Sequence, residues 1–423
     1  MSVREEIKMP RMVKIRQKFP RPVCVDIASE VKKEVAQFLH KLPSEARVAI
    51  AVGSRGISNI KEVAAAVVQE VKRCEAKPFI VPAMGSHGGA TAEGQKKVLE
   101  SYGINEHSVG APIVSSMEVI RIGILDNSVP VYFDKNASQA DAIIPINRVK
   151  PHTDFHDEIE SGIAKIMVIG LGKHKGALSI HRHGAAGLHH LIPAAARLIT
   201  EKMPIAFGVA MVENAYHETA LIKAIGRDEL EEKEKKLLLK AKELMPHLPS
   251  DEIDVLIVEE MGKNISGSGM DTNIIGRMMI LGEKEPSSPQ IKRIVILDLS
   301  QETHGNAAGL GLADFITKKL FDKINHKDSL VNILTARFII RGKIPLTLDN
   351  DREAMEIALD TCWGVEPEKA RVVRIKNTLK LDEVYVSEAL TEELTGRDDI
   401  EIIGKLEEMR FDEQRDLARS SLL

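Results

Sequence analysis

Two short apolar runs, each ending in a glycine-bearing polar turn that opens a helix, constrain this chain most. Val48–Val52 (VAIAV) leads into GSRGISN and an amphipathic helix through about Cys74. Pro78–Pro82 (PFIVP) leads into AMGSHGGATAEGQ and a helix to about Tyr102. A run that is apolar at every position predicts a strand buried on both faces, and strand–turn–helix repeated without a break is the unit of a parallel sheet. Parallel strands share one polarity, so both turns belong at one rim, where open α/β folds place ligands. That rim would carry Ser54, Arg55, Ser86, His87 and Thr91.

The rest of the chain continues the pattern. The first 45 residues are basic at the start and then helical from about Ala28 to Lys41. Ile113–Phe133 alternates around Asp126–Asn127 and predicts a β-hairpin, and Ala142–Ile146 (AIIPI) predicts another buried strand. A helix near Leu188–Glu201, strands at Ala206–Val212 and Thr219–Ala224, and a charged helix at Asp228–Leu244 follow. The charges of that helix (DELEEKEKKLLLKAKEL) predict a solvated face. His247–Glu252 (HLPSDE) reads as a linker. Beyond it come strand Val255–Val258, strand Ile294–Leu299, a helix from about Leu312, helix Asp351–Leu359 and strand Val372–Ile375. The expectation is an α/β protein of two α/β domains with its active site in the cleft between them. Residues 1–247 would form the catalytic and cofactor domain, with 384–423 a candidate to rejoin it, and 253–383 the second domain.

Composition removes several function classes. With 58 basic against 62 acidic residues, the net charge of −4 gives no general attraction to nucleic acid or membrane. One Trp, four Tyr and ten Phe leave little to stack on single strands. No apolar run approaches the ~18 residues a spanning helix needs. Cys24, Cys74 and Cys362 form no CxxC, which argues against a disulfide framework or a zinc ribbon. The opening MSVREEIKMPRMVKIRQKFP has no apolar signal core, so the expected location is cytoplasmic.

The chemistry is concentrated in Pro151–His190, which holds His152, His156, His174, His181, His183, His189 and His190, seven of the 14 histidines, together with Lys165, Lys173 and Lys175. Imidazoles move protons and bind metals near neutral pH, and lysine supplies an amine or a fixed charge. GSRG (Gly53–Gly56) suits an anion, through Ser54, Arg55 and the N–H groups of the next helix, or is a turn with a cap. GSHGGAT (Gly85–Thr91) holds His87 between glycines after a strand, a place for an acid/base rather than a core residue. In the second domain, GSGMD (Gly267–Asp271) and THGNAAGLG (Thr303–Gly311) are strand-following loops in which Lys263 and His304 face either ligand or solvent. A zinc hydrolase or lyase would need about three protein ligands, for which His152, His156 and His181 are candidates. A non-catalytic binder of a nucleotide or organic anion is the third class open to these residues.

From about Val48 to Leu312 the motifs resemble those of the lactate racemase family, enzymes that use a nickel-pincer nucleotide. GSR–ISN is similar to the family's acid–x–Thr–Arg–Pro turn, GSHGGAT to its Gly–x–His loop, and SGIAK (Ser161–Lys165) to its Ser-Gly-Gly-x-Lys. The family's nickel-ligating histidine follows its cofactor-tethering lysine by sixteen residues, and His181 follows Lys165 by sixteen. The resemblance implies a 2-hydroxy acid racemase or epimerase, a small-molecule substrate, dependence on cofactor-biosynthesis enzymes, and an enzyme that can be a homo-oligomer. It implies that Lys165 holds the pyridinium cofactor through a thioamide, that His181 ligates nickel, and that His87 and His152 are the two acid/bases. Ser54 and Arg55 would bind cofactor, and Arg55 and Lys263 the substrate. The departures are Val52 where the family has an acid, Gly56 and Ser58 where it has prolines, and a longer segment between His152 and Lys165. His152 rather than His156 is taken as the second base from its place just after the strand. The family's second-domain Gln and Lys have no clear match, and Lys263, Asn273 and Arg277 are candidates.

Overall fold

The computed structural model describes residues 7–53, 56–125 and 128–418. They form two compact units, one within 20–245 and the other of 7–19 joined with 246–418. Both units are α/β. The chain runs through β1 (Met12–Gln17), α1 (Ile27–Leu39), β2 (Arg47–Val52), α2 (Ile60–Arg73), β3 (Lys77–Pro82), α3 (Ala92–Ser101) and the short α4 (Glu106–Val109). It continues with β4 (Val119–Leu125), β5 (Val129–Asp134), β6 (Ala142–Arg148), α5 (Ile163–Lys165), α6 (Lys173–His181), α7 (Gly184–Lys202), β7 (Phe207–Glu213), β8 (Thr219–Gly226) and α8 (Leu230–Leu244).

The sheet of the unit 20–245 has the order β3-β2-β6-β7-β8. The first four strands are parallel and β8 pairs antiparallel to β7. The apolar runs become its centre. Val48, Ile50 and Val52 of β2 are sealed from solvent and pack with Ile144 and Ile146 of β6, Val209 and Met211 of β7, and the inner faces of α1 and α2. Strand period two turns Ala49 and Ala51 to the opposite face. Asp26 caps α1 by accepting the Ser29 N–H at 2.9 Å, and Thr91 caps α3 through Gly94 N–H at 3.0 Å. Thr91 thus has a structural task on the rim. β4 and β5 form the expected hairpin, whose residues 126–127 lie outside the described residues.

The second unit carries β9 (Glu252–Val258), the short α9 (Thr272–Ile275), β10 (Gln290–Ile296), β11 (Phe315–Thr317), α10 (Lys318–Phe321), α11 (His326–Ala336), β12 (Leu346–Leu348) and α12 (Asp351–Asp360). β13 (Val372–Ile375), β14 (Glu383–Ser387), α13 (Glu388–Leu394) and β15 (Ile400–Ile402) complete it. Its sheet order is β12-β11-β10-β9-β13-β14-β1-β15. Three expectations change here. Residues 1–19 belong to this unit, because β1 pairs antiparallel with both β14 and β15. For the same reason 384–423 does not rejoin the first unit. The helix expected from Leu312 is instead a single turn at Leu310–Leu312 followed by β11. The apolar Phe315–Thr317 is drawn into the sheet beside β10, and Thr317 Oγ1 donates to the Leu297 carbonyl at 2.6 Å. No helix among the described residues is long and apolar enough to cross a membrane.

Candidate active site

Three loops leave the carboxyl ends of the adjacent parallel strands β3, β2 and β6, and they carry the residues singled out from sequence. Parallel pairing puts them on one rim. Ser54 and Arg55 lie outside the described residues, but their flanks are fixed. A Cβ on Gly53 would stand 2.7 Å from Asn147 Oδ1 and 3.3 Å from Ile166 Cδ1, so the turn starts against the segment that bears Lys165. On its other side, Arg148 donates to the Gly56 carbonyl at 3.2 Å and pairs with Glu213, which also accepts the Ser58 N–H at 2.7 Å.

The β6 loop is folded around a buried carboxylate. Glu160 is 1 % exposed and accepts the His152 backbone N–H at 2.6 Å, the Asp157 N–H at 3.3 Å and Lys242 Nζ at 2.6 Å, with His156 Nδ1 at 3.4 Å. These partners pull Glu160 below the usual carboxylate range, against the upward push of its burial. The loop sets the His152 ring 4.7 Å from that of Phe155, whose other edge meets His189 at 5.0 Å. His189 Nδ1 in turn lies 2.8 Å from Asp157 Oδ2.

His152 is 8 % exposed and has both ring nitrogens engaged. Nδ1 accepts the Asp154 N–H at 3.0 Å, and Nε2 is hydrogen-bonded to Lys165 Nζ. Burial pushes this imidazole well below its ordinary range, and the charge of Lys165 adds to that, with smaller contributions from His181 and Lys150; Asp154 opposes. A solvent-exposed imidazole would have near-neutral basicity. Desolvation and the neighbouring Lys165 amine make His152 a weaker base than a free imidazole.

Lys165 ends α5 and leads into five π-helical residues, Ile166–Gly170. Asn147 Nδ2 donates to the Gly162 carbonyl at 2.8 Å, and Glu234 Oε2 accepts the Ala164 N–H at 3.0 Å. The His87 loop rests on the same segment. Gly85 N–H donates to the Gly170 carbonyl at 3.2 Å, and Gln95 Nε2 donates to the Gly85 carbonyl at 2.8 Å and the His87 carbonyl at 3.5 Å. Gln95 is held in turn by the fully buried Lys173, which donates to Gln95 Oε1 at 3.2 Å and the Pro82 carbonyl at 2.5 Å, and lies 3.3 Å from Asp134. His87 is half-buried, as is His181, the last residue of α6.

The structure thus brings His152 and Lys165 together and places His181 where its charge acts on His152. His183 and His190 are exposed. Among the described residues no three His, Cys, Asp or Glu side chains gather to hold a metal ion, so His152, His156 and His181 do not make the three-ligand zinc site. Lys263 lies in the other unit, its amine donating to the Gly267 carbonyl of its own loop. Arg277 is committed to Asp314 at 2.9 Å and to the Leu312 and Ile291 carbonyls, and Asn273 to Asp271. Asn147, Glu160, Glu213, Glu234 and Lys242 were not singled out from sequence. Asn147 and Glu213 carried the signal that marked His87, a polar residue ending an apolar strand on the same rim.

No protein-family model and no curated protein matches the chain by sequence. In structure it is similar to the lactate racemase apoprotein from Thermoanaerobacterium thermosaccharolyticum, with a TM-score of 0.52 and 14% sequence identity over 87% of this chain and 98% of that one. A likeness at that identity is one of fold: this is an α/β protein distantly similar to a racemase scaffold.

Proposed function

We propose that the chain racemises or epimerises a 2-hydroxy acid with a nickel-pincer nucleotide held by Lys165 and His181. The observation that carries this reading is the pairing of His152 with Lys165 at the end of β6, with His181 near enough to act on the same ring. The residues fit such a group: Lys165 is a half-buried amine whose backbone is fixed on two sides, and His181 would supply the single imidazole its metal needs. When bound, the group would supply a hydride acceptor for the carbinol carbon. The rest is work for side chains. His152 takes or returns the hydroxyl proton on one face of the substrate, and His87, from the β3 loop, does so on the other. Ser54 and Arg55 bind the cofactor, and Arg55 holds the substrate carboxylate by paired hydrogen bonds.

The low basicity of His152 has a place here. Converting Lys165 to an amide or thioamide removes its charge, one of the two main causes of the depression. His152 then becomes a stronger base only after the anchor is in place.

The test is to co-express the protein with the cofactor-synthesis enzymes and measure intact mass, metal content and loss of optical activity across chiral 2-hydroxy acids in deuterated water. The expected result is an adduct on Lys165, about one nickel per chain, and racemisation without deuterium at the carbinol carbon. Zinc without an adduct, or neither, would overturn the reading. His87→Ala and His152→Ala should each lower interconversion of both enantiomers by about 10²-fold or more.

A further inference from the structure

We propose that Glu234 is a positioning residue for Lys165: from helix α8, its buried carboxylate caps the turn that carries the lysine and holds the amine against His152. The proposal rests on the reading that Lys165 is the reacting amine, and goes beyond it by assigning control of that amine to a helix outside the rim.

Glu234 is 1 % exposed and accepts the backbone N–H of Ala164, the residue before Lys165, at 3.0 Å. Oε1 has no hydrogen-bond partner among the described residues and lies against the Gly162 Cα, with no room for a Cβ between them. A buried carboxylate is a costly way to cap a turn, since a neutral acceptor satisfies an N–H without desolvating a charge. The turn needs an external hold, because its continuation is π-helical, a form rarely stable on its own. The same helix grips the other partner, as Lys242 holds Glu160, which holds the His152 N–H. Eight residues separate Glu234 from Lys242 on α8, about 12 Å along the axis. Both halves of the His152–Lys165 pair are therefore fixed from one rigid element.

The charged groups near Glu234 are Glu231 on its own helix, Arg197 and Glu201 on α7, and Arg227 and Asp228 just before α8. All line one cavity of about 350 Å³ that also includes Glu234. Those acting on the His152 ring are Lys165, Asp154, His181 and Lys150. Burial raises Glu234 to about 7.

Trace acetylation of the apoprotein with acetic anhydride tests this without nickel, cofactor or hydroxy acid, so failure of the racemase reading and failure of the brace are separate results. Lys165 labelling is compared with Lys150 and Lys173 by peptide mass. Losing the acceptor in Glu234→Leu should raise Lys165 labelling about fivefold or more, the effect of one lost hydrogen bond. Glu234→Gln, which keeps an acceptor, should stay within about twofold of wild type, and Lys150 and Lys173 should not change in either variant. An unchanged Lys165 in Glu234→Leu, an equal rise at Lys150 and Lys173, or Glu234→Gln behaving like Glu234→Leu would each overturn the proposal. If Glu234→Leu does not fold, Glu234→Ala carries the test. Hydrogen exchange at the Ala164 amide should be about fivefold faster or more in Glu234→Ala than in the wild type, the effect of one lost hydrogen bond; an amide protected as in the wild type would overturn it.

Discussion

Gly162→Ala is the sharpest probe of how Lys165 is held. The backbone at Gly162 is extended, with φ 178°, so alanine adopts it without torsional cost. The cost is steric: a Cβ there collides with Glu234 Oε1, stands 2.7 Å from its Cδ and 3.2 Å from Val149 Cγ2. Glu234 must retreat and give up its Ala164 N–H bond, worth about 1.5–3 kcal/mol, or the segment must shift against an overpacked contact costing about 1–3 kcal/mol. We expect a loss of about 3 kcal/mol, a fall of roughly 6–12 °C for a unit of this size. Trp363, the only tryptophan, lies in the other unit, so fluorescence would miss the event. Calorimetry, with hydrogen exchange of peptides covering 160–170, reads it directly. The double variant with Glu234→Ala removes the collision, so the two costs should fall short of additivity by about 1 kcal/mol or more. A single-variant cost under about 0.5 kcal/mol, or additivity within that margin, would refute the reasoning.

Further outcomes follow from the buried charges. Glu234 is raised from 4.5 to about 7, so the folded state holds a proton that the unfolded chain has released across that window. Its contribution is greatest below about pH 4.5, and stability falls as pH rises through 7, by about 3 kcal/mol at ~1.4 kcal/mol per unit. Denaturant titrations of wild type against Glu234→Gln should show that slope only in the wild type. Lys173→Met strands Asp134, which is sealed from solvent beside it, and should cost about 3–5 kcal/mol; adding Asp134→Asn should recover part of it, as unfolding melts would show. Lys165→Met should raise the titration midpoint of the His152 imidazole C–H resonances, since a depressing charge is removed.

The repeated βα units could be read in the sequence because fully apolar runs have few other places to go. β2, β3 and β6 lie where VAIAV, PFIVP and AIIPI put them, with His87 and His152 on the loops that follow. β1 could not, since Met12–Gln17 is a strand through its pairing with β14 and β15, hundreds of residues away. The charged face of α8 is solvated as its pattern predicts, apart from Glu234. Its repeated Glu and Lys suggested a wet surface, and most of them make i,i+4 or i,i+3 pairs such as Lys233–Glu229 and Lys236–Glu232. One member of the same pattern, Glu234, is buried, and composition cannot separate it from the exposed Glu232. Only the neighbours they meet, the Ala164 N–H for Glu234 and Lys236 for Glu232, distinguish them.

The brace bears on how chain length can drift at such a site. His152 and Lys165 are separated by a segment longer than the pattern it resembles, yet they meet. Their distance is set by an external gauge, two contacts on one helix, and not by the number of residues strung between them. Insertions in 153–159 can then be absorbed as slack, while a one-residue slip in the register of α8 would turn Glu234 and Lys242 about 100° away and separate the pair. Kinship at this site would be written in the spacing of a helix that carries none of the chemistry.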